Sequence, residues 1–317
     1  MLEFVPVGAV ALAQLASAAP PEAVGAATAA AGASAGPAWW VWPLALFIFT
    51  FILGILAVLA GVGGGVLFTP LVGGFFPFHI DFVRSAGLIV ALSGALAAGP
   101  GLLKRNLASL RLALPVALIA STASIFGALI GLALPQNIVK ILLGATIILI
   151  ALLFVVSKSV EFPKVPGADA LAAAMRINGI YYEASSGETI SWTVHRTALG
   201  FILFVVIGVM AGMFGLGAGW ANVPVLNLLM GAPLKVSVAT SKFLLSITDT
   251  SAAWVYLNHG AMLPMITVPS VLGIMLGSFV GVRLLAKARP KAVRYIVIIM
   301  LLFAGIRPLL QGLGIWK

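Results

Sequence analysis

The sequence predicts an all-α polytopic membrane protein: two inverted repeats with broken or re-entrant helices, plus a small polar β-hairpin insert. Three observations predict it. The 317 residues are 62% hydrophobic and only 8% charged, where an ordinary soluble domain carries about 25% charged residues. Apolar runs long enough to cross a bilayer recur along the chain. The chain also interrupts itself twice in the same way, 154 positions apart: Gly61-Val62-Gly63-Gly64-Gly65 then Pro70, and Gly215-Leu216-Gly217-Ala218-Gly219 then Pro224.

Residues 1–38 are rich in Ala, hold Pro20-Pro21 and carry only Glu3 and Glu22 as charges. They read as a short apolar or interfacial helix and a linker. A cleaved signal is the alternative, although basic residues at its start are missing. The first repeat is read over 39–156, with apolar runs at Leu112–Leu134 and Ile138–Val156. The polar stretch 157–196 follows. Within it, 179–195 reads as a hairpin turning at Ser186-Gly187, preceded by a short helix around Ala168–Arg176. The second repeat is read over 197–317, with runs at Ala198–Met213, Met262–Val282 and, interrupted by Arg307, Tyr295–Leu310.

The two repeats align without gaps at the 154 offset. Phe47 matches Phe201, Gly54 Gly208, Ala57 Ala211, Pro70 Pro224, Pro115 Pro269, Ser124 Ser278 and Gly127 Gly281. Matched punctuation of this kind indicates internal duplication. Basic residues indicate inversion. Lys104, Arg105 and Arg111 correspond to Asn258, His259 and Met265. The next connection carries Arg283, Lys287, Arg289, Lys291 and Arg294, against a lone Lys140 in the first half. With positive loops inside, corresponding loops lie on opposite sides, the insert is cytoplasmic and the first long segment starts outside. Each half must then cross an odd number of times, which favours half-helices or re-entrant hairpins around Gly61–Phe78 and Gly215–Pro233.

Composition also excludes functions. The net charge of +10 is read through topology and lipid contact, since almost no soluble surface remains for nucleic acid. There is no cysteine, and His79, His195 and His259 stand far apart, so neither a metal nor a cofactor is expected. No Walker motif and no nucleophile–base set is present, so the chain is not read as an enzyme and no catalytic residue is assigned.

The expected partners are a small anionic substrate and the lipid bilayer; a homo-oligomer stays open. Broken helices aim backbone amides and a positive dipole end inward, an arrangement that attracts anions. Gly63, Gly64 and Gly65 are therefore candidate substrate ligands, as are Gly217, Ala218, Gly219 and Asn222. Close packing through small residues is the alternative reading. Thr240, Ser241 and Lys242 add two hydroxyls and an ammonium inside an apolar run. An ionisable group at that depth is a functional candidate, unless Lys242 snorkels to the interface. Ser85 occupies the matching region of the first half. Arg84 and Asp249 are candidates for proton or ion coupling. The alternatives are a local Arg84–Asp81 ion pair and a counter-ion role for Asp249, seven residues after Lys242 and on roughly the same helical face.

These motifs resemble the sulfite exporter TauE/SafE family of transporters: Gly61–Gly65 with Pro70, Phe214–Gly219 with Pro224, and Ala239-Thr240-Ser241. The resemblance covers roughly 44–314. Arg84-Ser85-Ala86-Gly87 departs from the family's usual Thr-Ser, while Tyr181-Tyr182-Glu183 and Val194-His195-Arg196 look like a subgroup's insert. It implies a secondary transporter of small sulfur-containing anions such as sulfite or sulfonates, multi-pass in the cytoplasmic membrane. A non-transporting scaffold or assembly protein and a passive anion channel are the competing readings.

Overall fold

Apolar helices in lipid must satisfy their own backbone groups, and the chain meets that demand with helices joined by short connections. The structure, a computed structural model, describes residues 40–60, 63–104, 108–156, 163, 165–183, 188–285 and 290–315. The segment 1–38, the Ser186-Gly187 turn and the basic residues Arg105, Lys287 and Arg289 lie outside the described residues.

The helices of the first half are α1 (Val41–Ala60), α2 (Gly64–Phe75), α3 (Ile80–Lys104), α4 (Leu110–Ala133) and α5 (Gln136–Val156). The insert contributes α6 (Ala170–Ala174) and an antiparallel pair, β1 (Asn178–Glu183) and β2 (Glu188–Thr193), in register from Asn178↔Thr193 to Glu183↔Glu188. The second half has α7 (Thr197–Phe214) and α8 (Gly219–Pro224), which runs into a π-turn at Val225–Leu229. It continues with α9 (Leu234–Asn258), α10 (Pro264–Leu285) and α11 (Pro290–Gly312). The starts of α3, α4 and α5 recur 154 positions later as those of α9, α10 and α11.

The packing recurs as well, with partners exchanged between halves. Gly208 on α7 abuts the Ala120 carbonyl on α4. At the offset positions, a Cβ on Gly54 of α1 would stand 2.7 Å from the Ile274 carbonyl oxygen on α10. Likewise α9 packs on α4 and α3 on α10, while α3 meets α9 and α5 meets α11. The halves are interleaved. Glycine makes the approach feasible, because any Cβ at these crossings would collide with backbone.

Five described helices are long and apolar enough to cross a membrane: α3, α4, α5, α7 and α10, by their windows Ile80–Ala97, Leu110–Ala133, Gln136–Leu153, Thr197–Phe214 and Pro264–Gly281. Shorter apolar stretches lie at Val41–Ala57, Gly64–Phe75 and Ile298–Gly312. Large apolar side chains face outward, Leu118 at 71%, Ile299 at 66% and Phe303 at 62% exposure. A surface of this kind is meant for lipid rather than water. The protein is thus an all-α multi-pass membrane protein. Helix α9, rich in Ser and Thr, is not among the apolar five. It sits inside, with Ser237, Thr240, Ser241, Thr248 and Asp249 buried.

The insert is held by its polar residues. Asp169 caps α6 by accepting from the Ala172 amide at 2.8 Å, and also accepts from the Thr197 amide at 2.7 Å and hydroxyl at 2.8 Å. Burial pushes this carboxyl up, but those hydrogen bonds and nearby His195 outweigh it and hold it below the ordinary 3.8. His195 donates its backbone N–H to the Met230 carbonyl at 2.9 Å, and its Nδ1 lies 3.1 Å from the same oxygen.

Candidate functional site

Both glycine clusters interrupt helix, by different backbone routes. Helix α7 ends at Gly215 (φ 65°), and Gly217 (φ 68°) is left-handed too. L-residues disfavour this region, so glycine is required at both. In the first half Gly63 is extended (φ −65°, ψ 140°) and precedes α2. Neither α2 nor α8 has a side-chain cap. A helix start leaves its first amides without intrahelical acceptors; here the earliest returns are Val66 N–H to the Gly63 carbonyl and Ala221 N–H to the Ala218 carbonyl, both at 3.2 Å.

The two uncapped starts meet. A Cβ on Gly219 would stand 3.7 Å from Gly63 Cα, and one on Gly63 would stand 3.9 Å from Gly219 Cα. The flanking wall comes from the interior helices α3 and α9. A Cβ on Gly217 would lie 2.8 Å from Ala91 Cβ, 2.9 Å from Asp249 Oδ2 and 3.3 Å from Leu245 Cδ2. Ala91 also lies 2.9 Å from a Cβ on Gly65. Ala91 and Leu245 occupy equivalent places at the 154 offset, so the same position of each interior helix leans on the breaks. Their sequence signal is faint, since neither is punctuation and the two residue types differ. Gly64 and Gly65 are buried beside them.

Asp249 is fully buried, and neither carboxylate oxygen has a side-chain hydrogen-bond partner. Lys242 lies on the same helix two turns earlier, about 10 Å of axial rise. Its ammonium acts on Asp249 electrostatically and the Ala218 amide is directed at the carboxylate, but no ion pair closes between Lys242 and Asp249. The counter-ion contact that the seven-residue spacing offers is therefore not made. Lys242 itself is only partly buried. Further polar atoms are buried without partners: Ser85 Oγ, Trp220 Nε1 and Asn222 Oδ1. A polar atom left unpaired at depth costs about 1–3 kcal/mol, so three such atoms on elements adjoining the breaks mark a region suited to a polar ligand. Among the described residues no group of His, Asp and Glu could hold a metal ion.

Other candidates are engaged elsewhere. Thr240 is buried, and its hydroxyl accepts from the Ser109 amide at 3.2 Å, where α4 begins. Ser241 is buried. Arg84, 1% exposed, pairs with Asp81, the ion pair that the i,i+3 spacing offered. It also donates to the Gly131 carbonyl at 3.1 Å and the Met213 carbonyl at 2.8 Å. Its guanidinium thus closes the C-terminal ends of α4 and α7, where a cation suits the helix dipole. Tyr256, under the guanidinium at 5.6 Å, donates to the Gly212 carbonyl at 3.0 Å. Thr69 donates to the Gly215 carbonyl at 2.7 Å. Thr69 and Tyr256 went unnoticed in the sequence because their offset counterparts, Val223 and Leu102, carry no hydroxyl.

Comparison with known proteins agrees with a transporter. A sequence model described as sulfite exporter TauE/SafE matches residues 46–307. The probable membrane transporter protein ORF9 of a Sinorhizobium species is 26% identical over 264 residues, 83% of this chain and 90% of that protein. The probable membrane transporter protein YunE of Bacillus subtilis (strain 168) is 26% identical over 132 residues, 42% of this chain and only 48% of that protein. No solved structure matches.

Proposed function

The chain belongs to the sulfite exporter TauE/SafE family and is a membrane transporter; from that premise we propose that it carries a small sulfur-containing anion, sulfite, a sulfonate or a related organic anion, across the cytoplasmic membrane by alternating access. The observation that supports this reading is the meeting of the two uncapped helix starts at Gly63 and Gly219. Amides of Gly64, Gly65 and Gly219 are the donors, and the helix dipoles add partial positive charge. Lys242 supplies a full charge from the side of α9, with Ser241, Ser85 and Asn222 as polar groups nearby. Repeats of inverted topology then rock against each other around this point, with the insert on the cytoplasmic side.

Asp249 makes the transport coupled. A carboxylate 2.9 Å from the Cβ position of Gly217 and an anion at the same break repel each other strongly in a low dielectric. The two share the site when a proton or a cation travels with the anion. Arg84, already neutralised by Asp81 and two helix C-termini, takes no part in this step.

The test is flux of labelled sulfite and of a simple alkylsulfonate into liposomes holding the purified protein, with Lys242→Ala and Gly63→Ala beside it. Both variants are expected to lose most transport while remaining folded by gel filtration. Unchanged flux in both removes the site.

A further inference from the structure

A cavity lies away from the glycine breaks, between the hairpin and the start of α4. Its volume is about 690 Å³, and its lining includes Arg111, Asn178, Ile180, Ser191, Trp192 and Thr193. The size falls within the range of small-molecule sites. Among the described residues no acidic residue lines it. Among the described residues Arg111 makes no ion pair and no hydrogen bond, so its guanidinium is available.

The hairpin's register builds the apolar wall. Gly179 pairs opposite Trp192, and a Cβ on Gly179 would lie 2.8 Å from Trp192 Cζ2. The missing side chain is the space the indole occupies, so the ring lies across β1 and packs on the core. An indole and an uncommitted arginine lining one cavity suit a ligand with both characters.

We propose that this cleft binds an organic oxyanion: the anionic head on Arg111, the apolar body against Trp192. A guanidinium offers paired N–H donors that match sulfonate, phosphate or carboxylate oxygens. The apolar wall selects such a head on a carbon skeleton over a bare inorganic ion. Two sources share this chemistry, a free organosulfonate or organophosphate and the headgroup of an anionic lipid. The outward side chains of α4, Leu114 at 58% and Leu118 at 71% exposure, bring the bilayer to the cleft and keep the second source open. The site is independent of the sulfur-anion reading of the glycine breaks.

The experiment uses the full-length protein in a zwitterionic detergent and measures two probes, benzenesulfonate by calorimetry and a short-chain phosphatidylglycerol by native mass spectrometry. Arg111→Gln is expected to weaken at least one probe about tenfold or more, the scale of hydrogen bonds to a charged group. Gly179→Val, which displaces the indole without touching a charge, is expected to weaken the same probe. Thermal unfolding of each variant confirms that the insert is intact. A loss confined to benzenesulfonate supports the site and identifies a free solute; a loss confined to the lipid supports it and identifies a headgroup. Binding of both probes unchanged by Arg111→Gln overturns the proposal. Loss of the sulfonate signal in Lys242→Ala but not in Arg111→Gln overturns it too, since the signal then reports the glycine breaks.

Discussion

The hydroxyl of Thr69 donates a 2.7 Å hydrogen bond to the carbonyl of Gly215, joining the broken helix of one half to the break of the other. Both residues are buried. The carbonyl at a left-handed glycine has left the helical ladder and needs an outside donor.

Thr69→Val removes that donor and keeps the shape. Destabilisation of about 1–3 kcal/mol is expected, the cost of one buried unpaired acceptor. Thermal unfolding in detergent reads it, and Thr69→Ser should recover most of the loss. Equal melting of all three forms would show that the bond contributes nothing.

Gly63→Ala separates site from scaffold. A Cβ there meets nothing closer than 3.9 Å, and the backbone is extended, so the fold should survive with a shift under about 1 kcal/mol. Transport should nonetheless fall, because the added methyl stands between the two helix starts. Wild-type flux in a normally melting variant would argue that no solute passes this point.

Asp249→Asn tests coupling. The amide keeps the size of the carboxyl and cannot exchange a proton. Wild-type flux is expected to rise with an imposed pH gradient and the variant's flux to ignore it, measured in liposomes with clamped membrane potential. If the variant responds to the gradient as strongly as wild type, coupling lies elsewhere. Saturable, gradient-driven flux in the wild type would also exclude a passive channel.

Asp169 gives the insert a pH dependence of known sign. Its carboxyl is held below the ordinary value by hydrogen bonds from Ala172 and Thr197, against the opposing effect of burial. A group lowered on folding stabilises the fold above its unfolded pKa, and the contribution disappears as the pH falls through the folded value. Hydrogen exchange at the Ala172 and Thr197 amides should therefore be protected at neutral pH and lose protection below about pH 4. Asp169→Asn should show weak protection throughout.

Much of the helix layout was written in punctuation. Glycine and proline act on the backbone locally, so Gly63, Gly217 and Pro224 identify breaks without knowledge of neighbours, whereas Pro70 sits inside α2. The repeat at 154 then aligns α3 with α9 and α4 with α10. Tertiary partners are another matter. That Arg84 closes two helix ends, or that Tyr256 reaches Gly212, depends on which helices are adjacent, and one residue type does not reveal that. Repeat matching also misses whatever only one half possesses, as with Thr69 and Tyr256. The seven-residue spacing placed Lys242 and Asp249 on one face, but helical phase does not report side-chain reach, and the charges stay apart.

The exchange of partners between halves bears on how the protein is made. When α1 to α5 have left the ribosome, the glycine face of α1 has no α10 to lie against and α4 has no α7. The nascent chain must wait in the bilayer with those seams open until the second half arrives, so a truncation after residue 156 would yield a substrate for quality-control proteases rather than half a machine. Two separately synthesised halves meeting in one membrane could still zip together.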